Sequence, residues 1–99
     1  MDYTKDKLSV IMPALNEEAN ICDVISGTLK AFDLFKIDGE IIVVNDGSTD
    51  RTQSLAEGKA REDAGRIRVI RHDRPKGIGA SFWEGVDSAK GDAIIMLPG

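Results

Sequence analysis

The chain alternates between two kinds of hydrophobic spacing, and this alternation restricts its fold more than any other feature. Short apolar runs rich in β-branched residues predict buried strands, whereas apolar residues at three- and four-residue steps predict amphipathic helices. The strand-type runs cover residues 8–12, 40–45, 66–71 and 92–97, and the helix-type runs cover residues 18–35, 50–64 and 77–89. The order β-α-β-α-β-α-β predicts an α/β fold with a parallel sheet and helices on both faces.

Residues that favour helix starts stand in two of the predicted loops. Asn16 is predicted to cap the first helix, with Glu17 and Glu18 at its positive end. Ser48 or Thr49 is predicted to cap the second helix. Pro13 is predicted to end the first strand.

The composition excludes several classes of protein. Residues 1–99 are enough for one domain, and their formal net charge of −4 argues against a nucleic-acid binder, which normally shows a basic excess. The single cysteine, Cys22, cannot form an internal disulfide, and the single histidine, His72, cannot complete a Cys/His zinc site. No apolar run reaches the ~18–20 residues that span a bilayer, and residues 1–7 do not resemble a signal peptide. These features predict a cytoplasmic location and no transmembrane segment in this chain.

Ligands of parallel α/β sheets bind beyond the carboxyl ends of the strands, so the loops there are the candidate site. The first of these loops contains no glycine, which excludes the G-x-G-x-x-G dinucleotide motif at its required position. No G-x-x-x-x-G-K-[ST] sequence occurs, which excludes a P-loop. If the fold binds a nucleotide, it must therefore do so through a structural motif other than these two.

Three of these loops carry residues with both a structural and a functional interpretation. The segment 45–50 is either an ordinary turn with a helix cap, or it places Asp46 to accept the imino N–H of uracil or guanine, with Gly47 allowing a ring close to the backbone. Proline and glutamate in the segment 13–17 can simply end a strand and start a helix. Alternatively, Pro13, Ala14 and Leu15 form a wall for a base and Glu17 accepts a ribose hydroxyl.

The third loop, residues 71–77, clusters cationic side chains. Such a run is commonly a solvated surface, but Lys76 with the first N–H groups of the third helix can also neutralise a diphosphate. Trp83 is interpreted as a packing residue, and His72 alone supports no catalytic role.

Three blocks of the sequence together resemble the family 2 glycosyltransferases of the GT-A fold. The blocks are SVIMPALNEEANI at residues 9–21, EIIVVNDGSTDRT at residues 40–52, and a glycine-led third block with Gly77-Ile78-Gly79-Ala80, Gly85 and Ala89-Lys90-Gly91-Asp92. Within this family, the sequences of these blocks are most similar to those of dolichol- and polyprenyl-phosphate sugar transferases. The resemblance implies a Rossmann-like three-layer α/β/α fold with sheet order 3-2-1-4.

The resemblance also implies an activity and a set of binding residues. It implies transfer of a sugar from a UDP- or GDP-sugar, with inversion, to an acceptor such as a polyprenyl phosphate, and a divalent metal (Mg²⁺ or Mn²⁺) in the full-length family member. The nucleotide-sugar-binding residues carried over by position are Pro13, Ala14, Leu15, Glu17, Val44, Asp46, Lys76 and Gly77.

The sequence departs from the family pattern at two positions. Asn45 stands where the family has the first aspartate of D-D-G-S, and Pro98 stands where the first aspartate of the metal-binding D-x-D would stand. We therefore assign no catalytic and no metal-binding residue within the chain and expect the 99 residues alone to be inactive. The alternative function is a non-catalytic nucleotide-binding or regulatory module that keeps the fold without the metal motif. A phosphoryl-accepting receiver domain fits poorly, because it needs an acidic pair after the first strand.

The apolar residues 93–97 run directly into the end of the sequence. We interpret the chain as the N-terminal part of a longer glycosyltransferase, and the resemblance leaves open a parent associated with the cytoplasmic face of a membrane. As the last strand would be an unprotected apolar edge, we also predict a homodimer that pairs through residues 93–97.

Overall fold

The computed structural model describes residues 7–98 as four strands and three helices in strict alternation. The elements are β1 (Lys7–Ala14), α1 (Ile21–Leu34), β2 (Asp38–Asp46), α2 (Thr52–Glu62), β3 (Ile67–His72), α3 (Ile78–Ser88) and β4 (Ala93–Met96). The strands form one parallel sheet in the order β3-β2-β1-β4. The α/β fold, the element order and the predicted sheet order 3-2-1-4 are confirmed.

The two central strands are apolar on both faces because each face is covered by helices. Val10 and Met12 of β1 pack with α1 and α2, whereas Ile11 of β1 lies with Ile42 and Val44 of β2 in a second cluster, which Phe82 and Ala89 adjoin. This alternation produces three layers, with α1 and α2 on one side of the sheet and α3 on the other. Cys22, which lies in α1, packs against the larger core cluster.

Helix α3 approaches β1 very closely, and a glycine makes this approach possible. A Cβ atom on Gly85 would collide with Cγ2 of Ile11 and lie 3.0 Å from its Cδ1. Ile11 is fully buried, so its side chain has little space into which to move. Gly85 therefore sets the distance between the helix and the sheet.

The amino edge of the sheet is held by a buried carboxylate. Glu40 of β2 accepts hydrogen bonds from the Ser9 hydroxyl at 2.6 Å, the Lys90 N–H at 2.7 Å and the Arg68 guanidinium at 2.7 Å. Burial raises the pKa of Glu40, but these three hydrogen bonds outweigh burial and leave the pKa below its ordinary value. The cluster ties β1, β2, β3 and the segment before β4 together at the edge away from the candidate site.

The prediction that Pro13 ends the first strand is wrong, because β1 continues to Ala14. The Leu97 N–H donates to the Ile11 carbonyl at 2.8 Å, so the odd-numbered residues of β1 direct their backbone polar groups toward β4. β4 ends at Met96, opposite Ile11. Pro13 is odd-numbered, so its nitrogen faces the side of β4, past the end of that strand. Its missing N–H therefore removes no hydrogen bond from the pairing with β2.

The predicted helix caps are also wrong. Helix α1 begins at Ile21, and Asn16 lies four residues before its N-cap with a φ of 54°, a conformation that asparagine tolerates. Helix α2 begins at Thr52, whose N–H donates to Asp50 at 2.9 Å, rather than to Ser48 or Thr49.

β4 is the exposed edge of the sheet on the side of β1. All four of its residues are exposed, and Ile95 is 48% accessible. Ile94 and Met96 border an apolar groove beside α3, whereas Ile95 and Leu97 border one beside α1. Within residues 7–98, β4 is thus an apolar edge open on both faces, as the sequence predicted.

Candidate functional site

A cavity of about 300 Å³ opens at the carboxyl edge of the sheet, between the ends of β1 and β2 and the start of α3. Its lining consists of Pro13, Ala14, Leu15, Glu17, Asp46, Pro75, Gly77, Ile78, Ser81 and Pro98. This volume is at the lower end of the range for small-molecule sites. The location is the one at which open α/β sheets bind ligands.

Six of the eight predicted binding residues line this cavity, and they are Pro13, Ala14, Leu15, Glu17, Asp46 and Gly77. Val44 and Lys76 do not. The Val44 side chain is fully buried in the core cluster with Ile11 and Ile42. The Lys76 side chain is about half exposed, and its Nζ lies 3.5 Å from the Glu84 carboxylate. The structure thus brings most of the predicted set together, while the binding role of each residue stays a prediction.

The loops that follow β1 and β2 are joined by hydrogen bonds. The Asn16 N–H donates to the Ser48 hydroxyl at 2.9 Å, and the Thr49 N–H donates back to Asn16 Oδ1 at 2.9 Å. The Glu17 N–H donates to the Thr52 hydroxyl at 2.8 Å. Asn16 therefore connects two loops instead of capping a helix, and this connection fixes the wall of the cavity formed by Pro13, Ala14 and Leu15.

Gly47 has a different role from the predicted one. Its φ is +79°, and a Cβ atom built on it would lie 2.6 Å from the backbone carbon of Arg74 and the nitrogen of Pro75. The space beside Gly47 is thus filled by the loop after β3 rather than being left for a ring. Glycine is required here because two segments of backbone meet.

The Asp46 carboxylate lies at the end of β2 with 6% exposure and is held by three donors. Its Oδ1 accepts from the Lys76 N–H at 2.7 Å and lies 2.7 Å from His72 Nδ1, and its Oδ2 accepts from the Gly77 N–H at 3.0 Å. Burial raises the pKa of Asp46, but these three bonds outweigh it and leave the pKa lowered. An ionised carboxylate has about four acceptor positions, so one remains on the side of Oδ2.

His72 is the feature of this site that the sequence analysis missed. Its ring is buried, with Nδ1 2.7 Å from Asp46 Oδ1 and Nε2 2.7 Å from Glu84 Oε2. Burial lowers the pKa of His72, but the hydrogen bonds to both carboxylates raise it more, and the pKa lies above its ordinary value. Asp46 and Glu84 are distant from His72 in sequence, and no local motif signals the contact.

Other residues near the site differ from expectation in smaller ways. Arg71 and Arg74 are exposed, which agrees with a solvated surface. Trp83 does not line the cavity, but it is 64% exposed and contacts Phe82 edge-on instead of packing in the core. Ser81, four residues after Gly77, lines the cavity from the first turn of α3. Its hydroxyl is buried and has no hydrogen-bond partner among residues 7–98.

The described residues do not fit a divalent metal. No group of three or more His, Cys, Asp or Glu side chains within residues 7–98 is arranged to hold one. Asn45, at the position of a family aspartate, is neutral and engaged at both ends of its amide, since its Nδ2 donates to Gln53 at 2.7 Å and its Oδ1 accepts from the Ser48 N–H at 3.2 Å. Pro98 offers the cavity no metal ligand in its side chain.

None of the helices in the described part of the chain has the length and apolarity needed to cross a membrane.

Comparison with known proteins gives a match over nearly the whole chain. The family model described as "Glycosyl transferase family 2" matches residues 9–97. Two curated relatives are each named undecaprenyl-phosphate 4-deoxy-4-formamido-L-arabinose transferase. The protein from Shewanella sediminis is 32% identical over 92 residues, and the protein from Pseudomonas aeruginosa is 32% identical over 95 residues. The matches cover 93% and 96% of this chain but only 28% of each relative.

Solved structures show the same fold. A mannosyltransferase from Pyrobaculum calidifontis, solved in complex with GDP-Man and Mn²⁺, superposes with a TM-score of 0.71 at 20% identity and covers 94% of this chain and 27% of its own. A mycobacterial protein superposes with a TM-score of 0.69 at 30% identity and covers 95% of this chain and 31% of its own. The chain therefore spans about a third or less of each of these four proteins.

Proposed function

Because the chain belongs to glycosyl transferase family 2, we propose that its cavity binds the nucleotide of a UDP- or GDP-sugar. The chain then forms the donor-binding part of a longer enzyme that transfers the sugar, with inversion, to an acceptor such as a polyprenyl phosphate. The relatives named as undecaprenyl-phosphate sugar transferases support this acceptor class. The mannosyltransferase of the same fold was solved with GDP-Man, a donor of the proposed class.

The observation that carries the proposal is the Asp46 carboxylate at the cavity. It is kept ionised and oriented by His72 and by the Lys76 and Gly77 N–H groups, and it retains an acceptor position on Oδ2. Uracil and guanine each present an imino N–H, which a carboxylate accepts in a charge-assisted hydrogen bond. Cytosine and adenine have no such N–H when neutral, so Asp46 favours a UDP- or GDP-linked donor.

The other cavity residues fit the remaining parts of a nucleotide. Pro13, Ala14 and the half-exposed Leu15 supply an apolar surface for the base, and Glu17, which also lines the cavity, is the proposed acceptor for a ribose hydroxyl. Val44, which pairs in register with Pro13, lies in the core next to this surface. The positive end of α3, which begins directly after Gly77, faces the cavity and suits a diphosphate.

The lysine before α3 completes the proposed diphosphate site. Lys76 has a half-exposed side chain whose Nζ lies 3.5 Å from Glu84, and a solvent-exposed ion pair of this kind is weak enough to be exchanged for a contact with a diphosphate.

The proposed reaction is a direct displacement at the anomeric carbon. An acceptor phosphate oxygen forms the new bond to carbon from the face opposite the leaving group, while the bond to the nucleoside diphosphate breaks and its oxygen keeps the electron pair. A metal ion in the full-length family member would neutralise the departing diphosphate. Residues 7–98 hold no site for it, so their contribution is to bind and orient the donor.

Titration calorimetry of the chain with UDP, GDP and ADP tests this function. We expect binding of UDP or GDP but not of ADP, and Asp46→Asn should lose about 1.5–3 kcal/mol of binding free energy, the scale of a hydrogen bond to a charged group. Asp73→Asn is the matched control, because it removes the same charge from an exposed position one residue after β3. Equal affinity of Asp46→Asn and Asp73→Asn would refute the assignment of Asp46.

A non-catalytic nucleotide-binding or regulatory module is the second candidate. The neutral Asn45, engaged by Gln53 and Ser48, favours it, as does Pro98 at the position of a family aspartate. The two functions separate in an assay of sugar transfer by the full-length parent with Mn²⁺ present, where the first function predicts turnover and the second predicts none. We expect the 99-residue chain alone to be inactive, and turnover above a matched blank would contradict that expectation.

We also propose that the chain acts in the cytoplasm and that two copies pair through β4. The cytoplasmic location rests on the single cysteine and on the donor class. The pairing rests on an apolar edge strand with both faces exposed, which carries neither lysine nor an internal proline to block the addition of a strand.

A further inference from the structure

We propose that His72 is a positioning residue for nucleotide binding, which as an imidazolium holds the Asp46 carboxylate in its binding orientation. The inference rests on the proposed function, because it concerns the residue assigned there to the base. It starts from the buried ring of His72, which lies 2.7 Å from one carboxylate on β2 and 2.7 Å from another on α3.

The geometry requires both ring nitrogens to carry a proton. An ionised carboxylate only accepts hydrogen bonds, so Nδ1 must donate to Asp46 and Nε2 must donate to Glu84. A neutral imidazole has one N–H and would turn a lone pair toward one of these oxygens. The two carboxylates and the raised pKa of His72 therefore favour the same charged state.

The charges around the ring support this state from several elements. The charged side chains that face it or flank it are Asp46 of β2, Glu84 of α3, Lys76 of the loop before α3, and Arg71 and Asp73 beside it along the chain. Lys76 opposes the positive charge of the ring, while the Glu84 carboxylate contacts both groups, with Oε2 2.7 Å from His72 Nε2 and Oε1 3.5 Å from Lys76 Nζ. The two acids in direct contact with the ring dominate.

The ring links the cavity to α3 through Asp46. The Asp46 oxygen that contacts His72 also accepts the Lys76 N–H, and the other oxygen accepts the Gly77 N–H at the cavity. Loss of a proton from the imidazolium would break one of the two hydrogen bonds of the ring. Loss of the bond to Asp46 would release that carboxylate, and loss of the bond to Glu84 would release α3. Nucleotide affinity should therefore fall as the pH rises through the pKa of His72, whereas a purely structural histidine would change stability alone.

The first experiment uses the fact that the chain has one histidine. In a ¹⁵N-labelled chain without a histidine tag, all imidazole nitrogen signals belong to His72. We expect both nitrogens to show the protonated pattern at neutral pH, with a titration midpoint above the ordinary value of about 6.5. A neutral tautomer at pH 7 would overturn the proposal.

The second experiment measures affinity against pH for the wild type, His72→Gln and Glu84→Gln. The probes are GDP-mannose and UDP-glucose, whose diphosphates do not titrate between about pH 6 and about pH 8.5. Wild-type affinity should fall about tenfold across this range, the smaller effect expected for a hydrogen bond to a charged group. His72→Gln should bind about tenfold more weakly at the acidic end, with no pH dependence.

Glu84→Gln keeps the proposal testable if His72→Gln does not fold. The half-exposed Glu84 can be neutralised with little packing change, and its loss should move the midpoint of the affinity curve to lower pH, because Glu84 helps to raise the pKa of His72. Unchanged binding and pH dependence in the folded variants would overturn the role of His72 alone. No binding of either probe by the wild type at any pH would overturn the proposed function, and the positioning role with it.

Discussion

Gly85→Ala should destabilise the chain although alanine is the better helix former. In a helix interior, alanine is favoured over glycine by about 1 kcal/mol. At Gly85 the added methyl group meets Ile11, which is fully buried and flanked by Ile42 and Val44. Forcing a methyl group into a packed core costs about 1–3 kcal/mol. Since the built contact is closer than real Cβ atoms allow, we expect the upper part of that range and a net loss of about 1–2 kcal/mol.

The matched control is Gly58→Ala in α2. The nearest atom to a Cβ at Gly58 is the far end of the flexible Arg61 side chain, at 3.8 Å. This substitution should therefore gain about 0.5–1 kcal/mol from helix propensity alone. The same chemical change in two helices of one chain should thus have opposite signs.

Urea unfolding followed by circular dichroism measures both free energies. The single tryptophan, Trp83, lies on α3 and gives a second probe by fluorescence. In the double variant with Ile11→Ala, the methyl group that Gly85→Ala adds should fill part of the space that the shortened side chain at position 11 leaves in the core. The effects of the two substitutions on the free energy of unfolding should therefore couple by about 1 kcal/mol. Equal stabilisation by Gly85→Ala and Gly58→Ala would refute the claim that Gly85 sets the helix–sheet distance.

Three further predictions follow from other parts of the fold. Gly47→Ala should destabilise by about 1–3 kcal/mol, because its φ is +79° and a Cβ would lie 2.6 Å from the Arg74 backbone; unfolding in urea measures it. The lowered pKa of Glu40 stabilises the chain above the ordinary pKa of the carboxyl, and this contribution is lost as the pH falls through the lowered pKa. Glu40→Gln should therefore flatten the acid side of the stability curve, and an unaltered curve would contradict it. Sedimentation at micromolar concentration should show a dimer that Ile95→Lys converts to a monomer, and a wild-type monomer would exclude pairing through β4.

The order of the elements was predictable from the sequence because the pattern is local. Runs such as Ile41–Val44 are apolar on both faces, which in a short segment indicates an interior parallel strand. The sheet order came from the family resemblance, and the structure confirms it. Most of the predicted cavity residues lie at strand ends, which is why six of them reach one cavity.

The details that escaped the sequence analysis depend on distant contacts. Asn16 is of a residue type that commonly caps helices, but its hydrogen-bond partners, Ser48 and Thr49, lie on the loop after β2. His72 has no signal of its own, because its role exists only once β2, β3 and α3 are packed. Local propensity cannot decide between a nearby partner and one that the fold supplies.

The hydrogen bonds that join the loops after β1 and β2 change the entropy of ligand binding. The Asn16 and Thr49 N–H groups each donate to a side chain of the opposite loop, and the Glu17 N–H donates to Thr52 at the start of α2, so the motions of the two loops are coupled. Ordering a flexible loop costs about 1–2 kcal/mol per residue, and here that cost is met when the chain folds. A ligand entering the cavity then finds one wall already ordered, so its contacts there contribute to affinity instead of to ordering the loop.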